Sequence, residues 1–235
     1  MKALILQRLR IQFSKTGPAR FIGNLDLMRL WERAARRAGV ALAYSEGFHP
    51  QPRMQLGAPL PLGYVGDAEL LDLWLTNPTE PAALLQTWNT VLPLGVAVQA
   101  VTEIVDREAA LSAQVTSARF GVLPNCEAAA PDLARCVAEL LEHQQIMRIN
   151  KRGKEYDLRP LVEKLGATPA GWLEMQLAAR PAATGRPEEV LTAMGLGTCR
   201  PTIHRRKLII VSRMYTRDSC TDTSSAQLPL SETFF

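Results

Sequence analysis

In LRIQF, Leu9 to Phe13, apolar and polar residues alternate strictly. Leu9, Ile11 and Phe13 then share one face of a strand and Arg8, Arg10 and Gln12 the other, which predicts a core-facing side and a basic outer side. The period then changes. Leu27, Leu30, Trp31, Ala34, Ala35 and Ala38 recur at helical spacing, with Asn24 placed as cap and Gly39 as stop. Arg29, Arg33, Arg36 and Arg37 fall on the outside of that helix. Alternation returns in ELLDLWLT, Glu69 to Thr76, with Leu71, Leu73 and Leu75 on one side and Asp72 and Trp74 on the other. Thr79 is placed to cap a second helix with an apolar stripe of Leu84, Leu85, Trp88, Val91 and Leu92, and Val96 to Ile104 reads as a strand. With a further strand within residues 54 to 62, the order is βαββαβ.

The second half repeats that order more loosely. Ser112 to Val122 is strand-like, Asp132 to His143 is helical, and Ile146 to Asn150 is short and β-like. KRGK at 151–154 reads as a turn, and Asp157 as the cap of a short helix through Leu165. Leu173 to Ala179 alternates, Pro187 and Gly195 bracket another helix, and Thr202 to Val211 closes. Split βαβ units of this kind give an antiparallel sheet with both helices on one face. The expected architecture is α+β: two tandem ferredoxin-like βαββαβ domains over 1–106 and 111–212, the second irregular, and a disordered tail over 213–235.

Composition fits a globular protein: 47% of the 235 residues are apolar and 21% charged. No stretch approaches the length of apolar run that spans a membrane, and the start lacks a signal-peptide pattern, so a cytoplasmic location is expected. Cys126, Cys136, Cys199 and Cys220 form no CxxC pair and read as reduced thiols; with His49, His143 and His204 scattered, no zinc pattern is spelled out. The formal net charge of +4 is unevenly spread. Residues 1–43 hold nine Lys or Arg against Asp26 and Glu32, whereas residues 61–142 hold eleven acids against three bases. That contrast points to a polyanion-facing surface and a separate partner-facing one.

Straight after the first helix runs YSEGFHPQPRMQLGAPLPLG, Tyr44 to Gly63. Pro50 and Pro52 press His49 and Gln51 toward extended geometry, so this loop presents Tyr44, Ser45, Glu46, His49, Gln51 and Arg53 from a prearranged frame. His49 and Tyr44 are the acid–base candidates, although no nucleophile–base pair is evident. Arg29, Arg33, Arg36 and Arg37, with Arg8, Arg10, Lys15, Arg20 and Arg53, provide enough positive charge to neutralise several phosphates. Lys151, Arg152 and Lys154 add a second basic site, and Arg205, Arg206 and Lys207 a third. Trp74 is the one aromatic placed on an outward sheet face, so phosphate and shape contacts would dominate over base stacking. Glu69 with Asp72 and Glu188 with Glu189 read as exposed carboxylates.

The run from Arg20 to Gly63, with its motifs LDLMR, ERAARRAG, YSEGFHPQPRM and PLPLG, resembles the radical-SAM-linked family of conserved proteins. The likeness continues more weakly in KRGKEYDLRPLVEKL and GRPEEVL. Members of that family occur beside, or fused to, a cobalamin-binding radical SAM protein. The resemblance thus implies a partner that would carry an iron–sulfur cluster, S-adenosylmethionine and cobalamin. The chain itself has no cysteine spacing for a cluster and is expected to hold no metal or cofactor. It departs from the family at Gly23-Asn24, where Ser-His commonly stands, and at Tyr64-Val65-Gly66, where VES is common.

The reading that joins these features is an accessory protein for a radical SAM enzyme that binds structured RNA, tRNA or rRNA, without catalysis of its own. The alternatives are a stand-alone RNA-processing or RNA-modifying enzyme using His49 and Tyr44, and a protein-only adaptor whose basic helix is merely solvated.

Overall fold

A computed structural model describes residues 5–104, 108–126, 132–150, 153–181 and 183–211. The first half runs β1 (Gln7–Lys15), a 3-10 turn (Gly17–Phe21), α1 (Asn24–Arg37), β2 (Met54–Leu56), β3 (Val65–Leu75), α2 (Pro81–Val91) and β4 (Val96–Ile104). The second begins with α3 (Leu111–Gln114), β5 (Val115–Leu123), α4 (Leu133–Glu142) and the small hairpin β6 (Met147–Ile149) and β7 (Glu155–Asp157). It continues through β8 (Val162–Ala167), β9 (Leu173–Arg180), β10 (Ala183–Thr184), α5 (Pro187–Ala193) and β11 (Thr202–Ile210).

Among the described residues one sheet of nine strands spans both halves, ordered β10-β9-β5-β11-β3-β1-β4, with β2 added to β3 and β8 to β9, beside the separate β6–β7 hairpin. Neighbours are antiparallel except β11 and β3, which run parallel through His204 opposite Val65 and Arg205 opposite Gly66. That junction is the seam between the halves. The class is therefore α+β, with five helices among the described residues.

Alternation in β1 and β3 builds the first core. Leu9, Ile11, Phe13, Leu71, Leu73 and Leu75 are buried against Leu27 and Trp31 of α1 and Leu84 and Trp88 of α2. Phe13 meets Trp31 edge-on at 5.0 Å between centroids, and Trp31 leans on Trp88 at 4.8 Å. The second core sets Phe120, Val122, Leu173, Met175 and Leu177 against Val137 and Leu140 of α4 and Val190 and Leu191 of α5.

Three local expectations need correction. Asn24 is the first residue of α1 rather than its cap; Gly23 takes that position and no side chain caps the end. Thr79 is not the cap of α2 either, because Pro81 opens that helix and Glu80 precedes it, while the Thr79 amide donates to Gln7 Oε1 at 2.9 Å. No helix runs from Asp157 to Leu165: Asp157 Oδ1 accepts from the amides of Ile146 and Arg159 at 2.9 and 3.0 Å, and after one 3-10 turn at Pro160 the chain enters β8. The same acceptor chemistry that caps a helix closes a turn here.

Cys126 and Cys199 form a disulfide across Cα atoms 4.4 Å apart, which corrects the expectation that both are reduced; Cys136 is free. Cys220, residues 106–107 of the expected 106–111 junction and the tail lie outside the described residues, as do Lys151 and Arg152. No helix among the described residues is long and apolar enough to cross a membrane.

Candidate functional site

The basic outer side expected of β1 is enclosed. Arg8 is hydrogen-bonded to Asp72 Oδ2 at 2.7 Å and donates to the carbonyls of Glu108 and Ala109 at 2.8 and 3.0 Å. Arg10 meets Asp72 Oδ1 at 2.8 Å and donates to Gln114 Oε1 at 3.1 Å. The segment leading into β5 thus lies over the sheet and seals Asp72 from solvent. Lys15 is equally enclosed and donates to the Ile22 carbonyl at 2.7 Å. Arg205 clamps Glu69 through two hydrogen bonds and holds the carbonyls of Ala58 and Pro59 at 2.9 and 3.1 Å. Glu69 and Asp72 are accordingly interior counter-ions and not exposed carboxylates, and Arg8, Arg10, Lys15 and Arg205 are turned away from any polyanion.

Lys15 has a measurable consequence. Burial pushes its ammonium below the ordinary 10.5, Glu69 partly offsets this, and Arg205 adds to the lowering. Between that lowered pKa and 10.5 the unfolded chain binds more protons than the folded one, so stability should rise with pH across the window. Chemical denaturation at stepped alkaline pH checks this, and Lys15→Met should remove the rise.

The cations left on the surface gather on α1. Arg29, Arg33, Arg36 and Arg37 are exposed. Arg29 pairs with Asp26 at 3.1 Å and Arg36 with Glu32 at 3.4 Å, both in full solvent contact on the arginine side and correspondingly weak. Arg33 has no partner among the described residues. Arg37 donates to the Val91 carbonyl at 2.7 Å and ties α1 to the end of α2. Arg33, Arg36 and Arg37 line a groove of about 700 Å³ with Asp26, Leu30 and Val91. Arg20 lies 4.7 Å over the ring of Phe21 near the start of the same helix.

The loop from Tyr44 is fastened at its base. Tyr44 bridges to Pro52, the Ser45 amide donates to the Gln51 carbonyl at 2.8 Å, and the Gln51 amide donates to Ser45 Oγ at 2.9 Å. Every peptide bond described is trans. Phe48 and His49 project from the tip, and His49 has no polar partner among the described residues. Tyr44 Oη lies 3.4 Å from Glu32 on α1, away from any pairing with His49. Arg53 and Arg8 flank Trp74, 5.5 and 5.0 Å from the ring centroid, in a hollow of about 500 Å³ that Ser45 and Gln51 also line. Basic helix, loop and Arg53 belong to one half of the molecule. Lys154 is exposed in the turn of the β6–β7 hairpin, on the other. Arg206 is engaged by Asp67 at 2.9 Å and stacks over Trp172 at 5.3 Å.

At the seam lies a cavity of about 730 Å³ that no local sequence pattern signals. Its lining draws on Asn24, on Ala58, Pro59 and Pro61 of the loop with Tyr64 just after it, on Ala118 and Phe120 of β5, and on residues 179–181 and 184–189 around α5. Tyr64 meets Phe120 edge-on at 6.4 Å. Burial and the neighbouring Glu188 carboxylate both push the Tyr64 phenol well above its ordinary 10.0, so it stays protonated. Only the prolines of the loop hinted at a preformed wall.

Among the described residues no group of three His, Cys, Asp or Glu is arranged to hold a metal ion. The features together define an α+β protein with a basic helix face on one half and a partly open hollow where the halves join. The chain belongs to the family described as "Uncharacterized protein conserved in bacteria (DUF2344)", whose model matches residues 8–187. No functionally curated protein matches it in sequence. A solved structure titled "Crystal Structure of an Unknown Protein from Galdieria sulphuraria" aligns with 88% of this chain and 99% of its own at 12% identity. Its TM-score is 0.28, a likeness too loose to carry any argument.

Proposed function

We propose that this protein is an RNA-binding accessory to a radical SAM enzyme, holding a structured RNA such as tRNA or rRNA. The observation that carries the RNA part is the row of exposed arginines on α1 opening onto a concave groove, with Arg53 stacked on Trp74 as a further contact. Guanidinium groups on a rigid helix recognise phosphates bidentately, and a groove of this kind reads shape rather than sequence. The link to a radical SAM partner rests on the resemblance of residues 20–63. Docking would use acids that remain exposed, such as Glu80, Asp132, Glu139 and Glu142. We also read the halves as two ferredoxin-like units. In support, the strand orders β4-β1-β3-β2 and β11-β5-β9-β8 are equivalent and antiparallel throughout.

Binding is favoured over catalysis at the loop because His49 has no polar partner among the described residues and Tyr44 is turned toward Glu32. The partner part is tested by crosslinked capture of the tagged protein from its own cells, with and without RNase. A radical SAM protein that survives RNase supports the docking reading; its absence from both samples refutes it. The RNA part is tested with Arg29→Glu, Arg33→Glu and Arg36→Glu combined, which spares the Arg37 tie to α2. Affinity for unfractionated tRNA at low salt should fall roughly a hundredfold with an unchanged circular-dichroism spectrum. Unchanged affinity would refute it.

A further inference from the structure

We propose that the cavity at the seam is a nucleotide site, occupied either by a free nucleoside monophosphate or by one unstacked residue of a bound RNA. The second source rests on the RNA-binding reading of α1; the first does not.

The volume of about 730 Å³ lies within the range of small-molecule sites. Its inner surface is apolar and contains flat elements, with the Phe120 and Tyr64 rings at right angles and proline faces from Pro59, Pro61 and Pro187. Such a surface takes a planar, weakly polar body and offers little to an extended aliphatic chain with a cationic end. One charged group on the lining lacks a partner. Arg186 is exposed and has no acid in ion-pair range among the described residues. An unpaired guanidinium at the mouth of an apolar hollow suits a phosphate.

Three of the other charges on these walls are paired: Glu189 with Arg148 at 2.9 Å, Arg180 with Glu163 at 3.4 Å, and Arg205 with Glu69, while the Glu188 carboxylate keeps its charge beside the Tyr64 hydroxyl. What remains open is a flat apolar floor and one unpaired cation at the rim. A nucleobase carried on a phosphorylated ribose supplies the complement of both. The wall is also held in place: Arg205 fixes the carbonyls of Ala58 and Pro59, so the loop side of the hollow is preformed.

The test titrates the wild-type chain calorimetrically with each common nucleoside 5′-monophosphate, with inorganic phosphate as control, and measures unfractionated tRNA binding by electrophoretic shift. Two variants probe the site, Arg186→Glu and the cavity-filling Ala179→Leu; unchanged circular dichroism and unfolding midpoint verify their folding. Saturable binding of at least one nucleotide is expected, stronger than that of phosphate, and weakened roughly ten- to a hundredfold in Arg186→Glu. The triple α1 reversal should leave that binding intact, so failure of the RNA reading is seen separately. If free nucleotides do not bind but tRNA affinity falls at least about tenfold in both cavity variants, the occupant is an RNA residue. The proposal is overturned if nucleotides bind no better than phosphate and tRNA binding is absent or indifferent to both cavity substitutions.

Discussion

Asp72→Ala should destabilise the protein by about 3–5 kcal/mol, the usual cost of leaving a buried charge without its partner. Two guanidiniums share that carboxylate. Arg8 reaches Asp72 Oδ2 at 2.7 Å and Arg10 reaches Oδ1 at 2.8 Å, and all three side chains are sealed beneath the 108–114 segment. Removing it leaves Arg8 with backbone carbonyls alone and Arg10 with Gln114 Oε1 and the Glu108 carboxylate at 4.0 Å. For a chain of this length the loss corresponds to a fall in midpoint of roughly 6–20 °C, read by thermal unfolding. Replacing Arg8, Arg10 and Asp72 together with apolar residues of similar volume should cost much less, because the desolvation burden disappears with the charges. A midpoint in Asp72→Ala within a degree or so of wild type would show that the cluster is hydrated and the cover over it open.

Glu69→Ala is the second large effect, and it reaches the seam. Glu69 is the only acid on Arg205 among the described residues, and Arg205 in turn holds the Ala58 and Pro59 carbonyls that wall the cavity. A loss of about 3–5 kcal/mol is expected here as well. A distinguishing mark accompanies it. Glu69 is the influence that raises the Lys15 pKa against burial, so without it the Lys15 ammonium drops further. The pH window over which stability climbs should therefore begin lower in Glu69→Ala than in wild type, a shift absent from Asp72→Ala. Denaturation curves at stepped pH for the two variants side by side check both the energy and the shift. An identical pH profile would place Glu69 away from Lys15.

The strands and helices of the first half were legible because their apolar residues keep strict periods of two or 3.6, and β1, α1, β3 and α2 fall close to where the spacing puts them. Their outer faces were not. Alternation separates two sides of a strand without saying what covers the second, and a buried network of Arg8, Arg10 and Asp72 has the same residue pattern as a solvated one. The cover comes from residues a hundred positions later, and the Glu69–Arg205 pair spans a still longer separation, beyond any local signal. In the second half, Asp157 followed by Pro160 and Leu165 satisfies the start rules of a helix, yet pairing of β8 with β9 prevails over them. The Cys126–Cys199 bond joins positions 73 apart that no spacing motif connects. For the candidate site, the exposed arginines of α1 were found from the helical period alone. The seam cavity was not, since its walls come from both halves and exist only once β11 lies beside β3.

The most direct test of the RNA-binding reading is the salt dependence of tRNA affinity for wild type and for the Arg29→Glu, Arg33→Glu, Arg36→Glu variant. Contacts from Arg29, Arg33, Arg36 and Arg53 predict that the logarithm of the association constant falls against the logarithm of salt with a slope of roughly −3 to −4. The variant should flatten toward about −1. A wild-type slope near zero, or one that the variant leaves unchanged, would contradict the assignment of the α1 face to RNA.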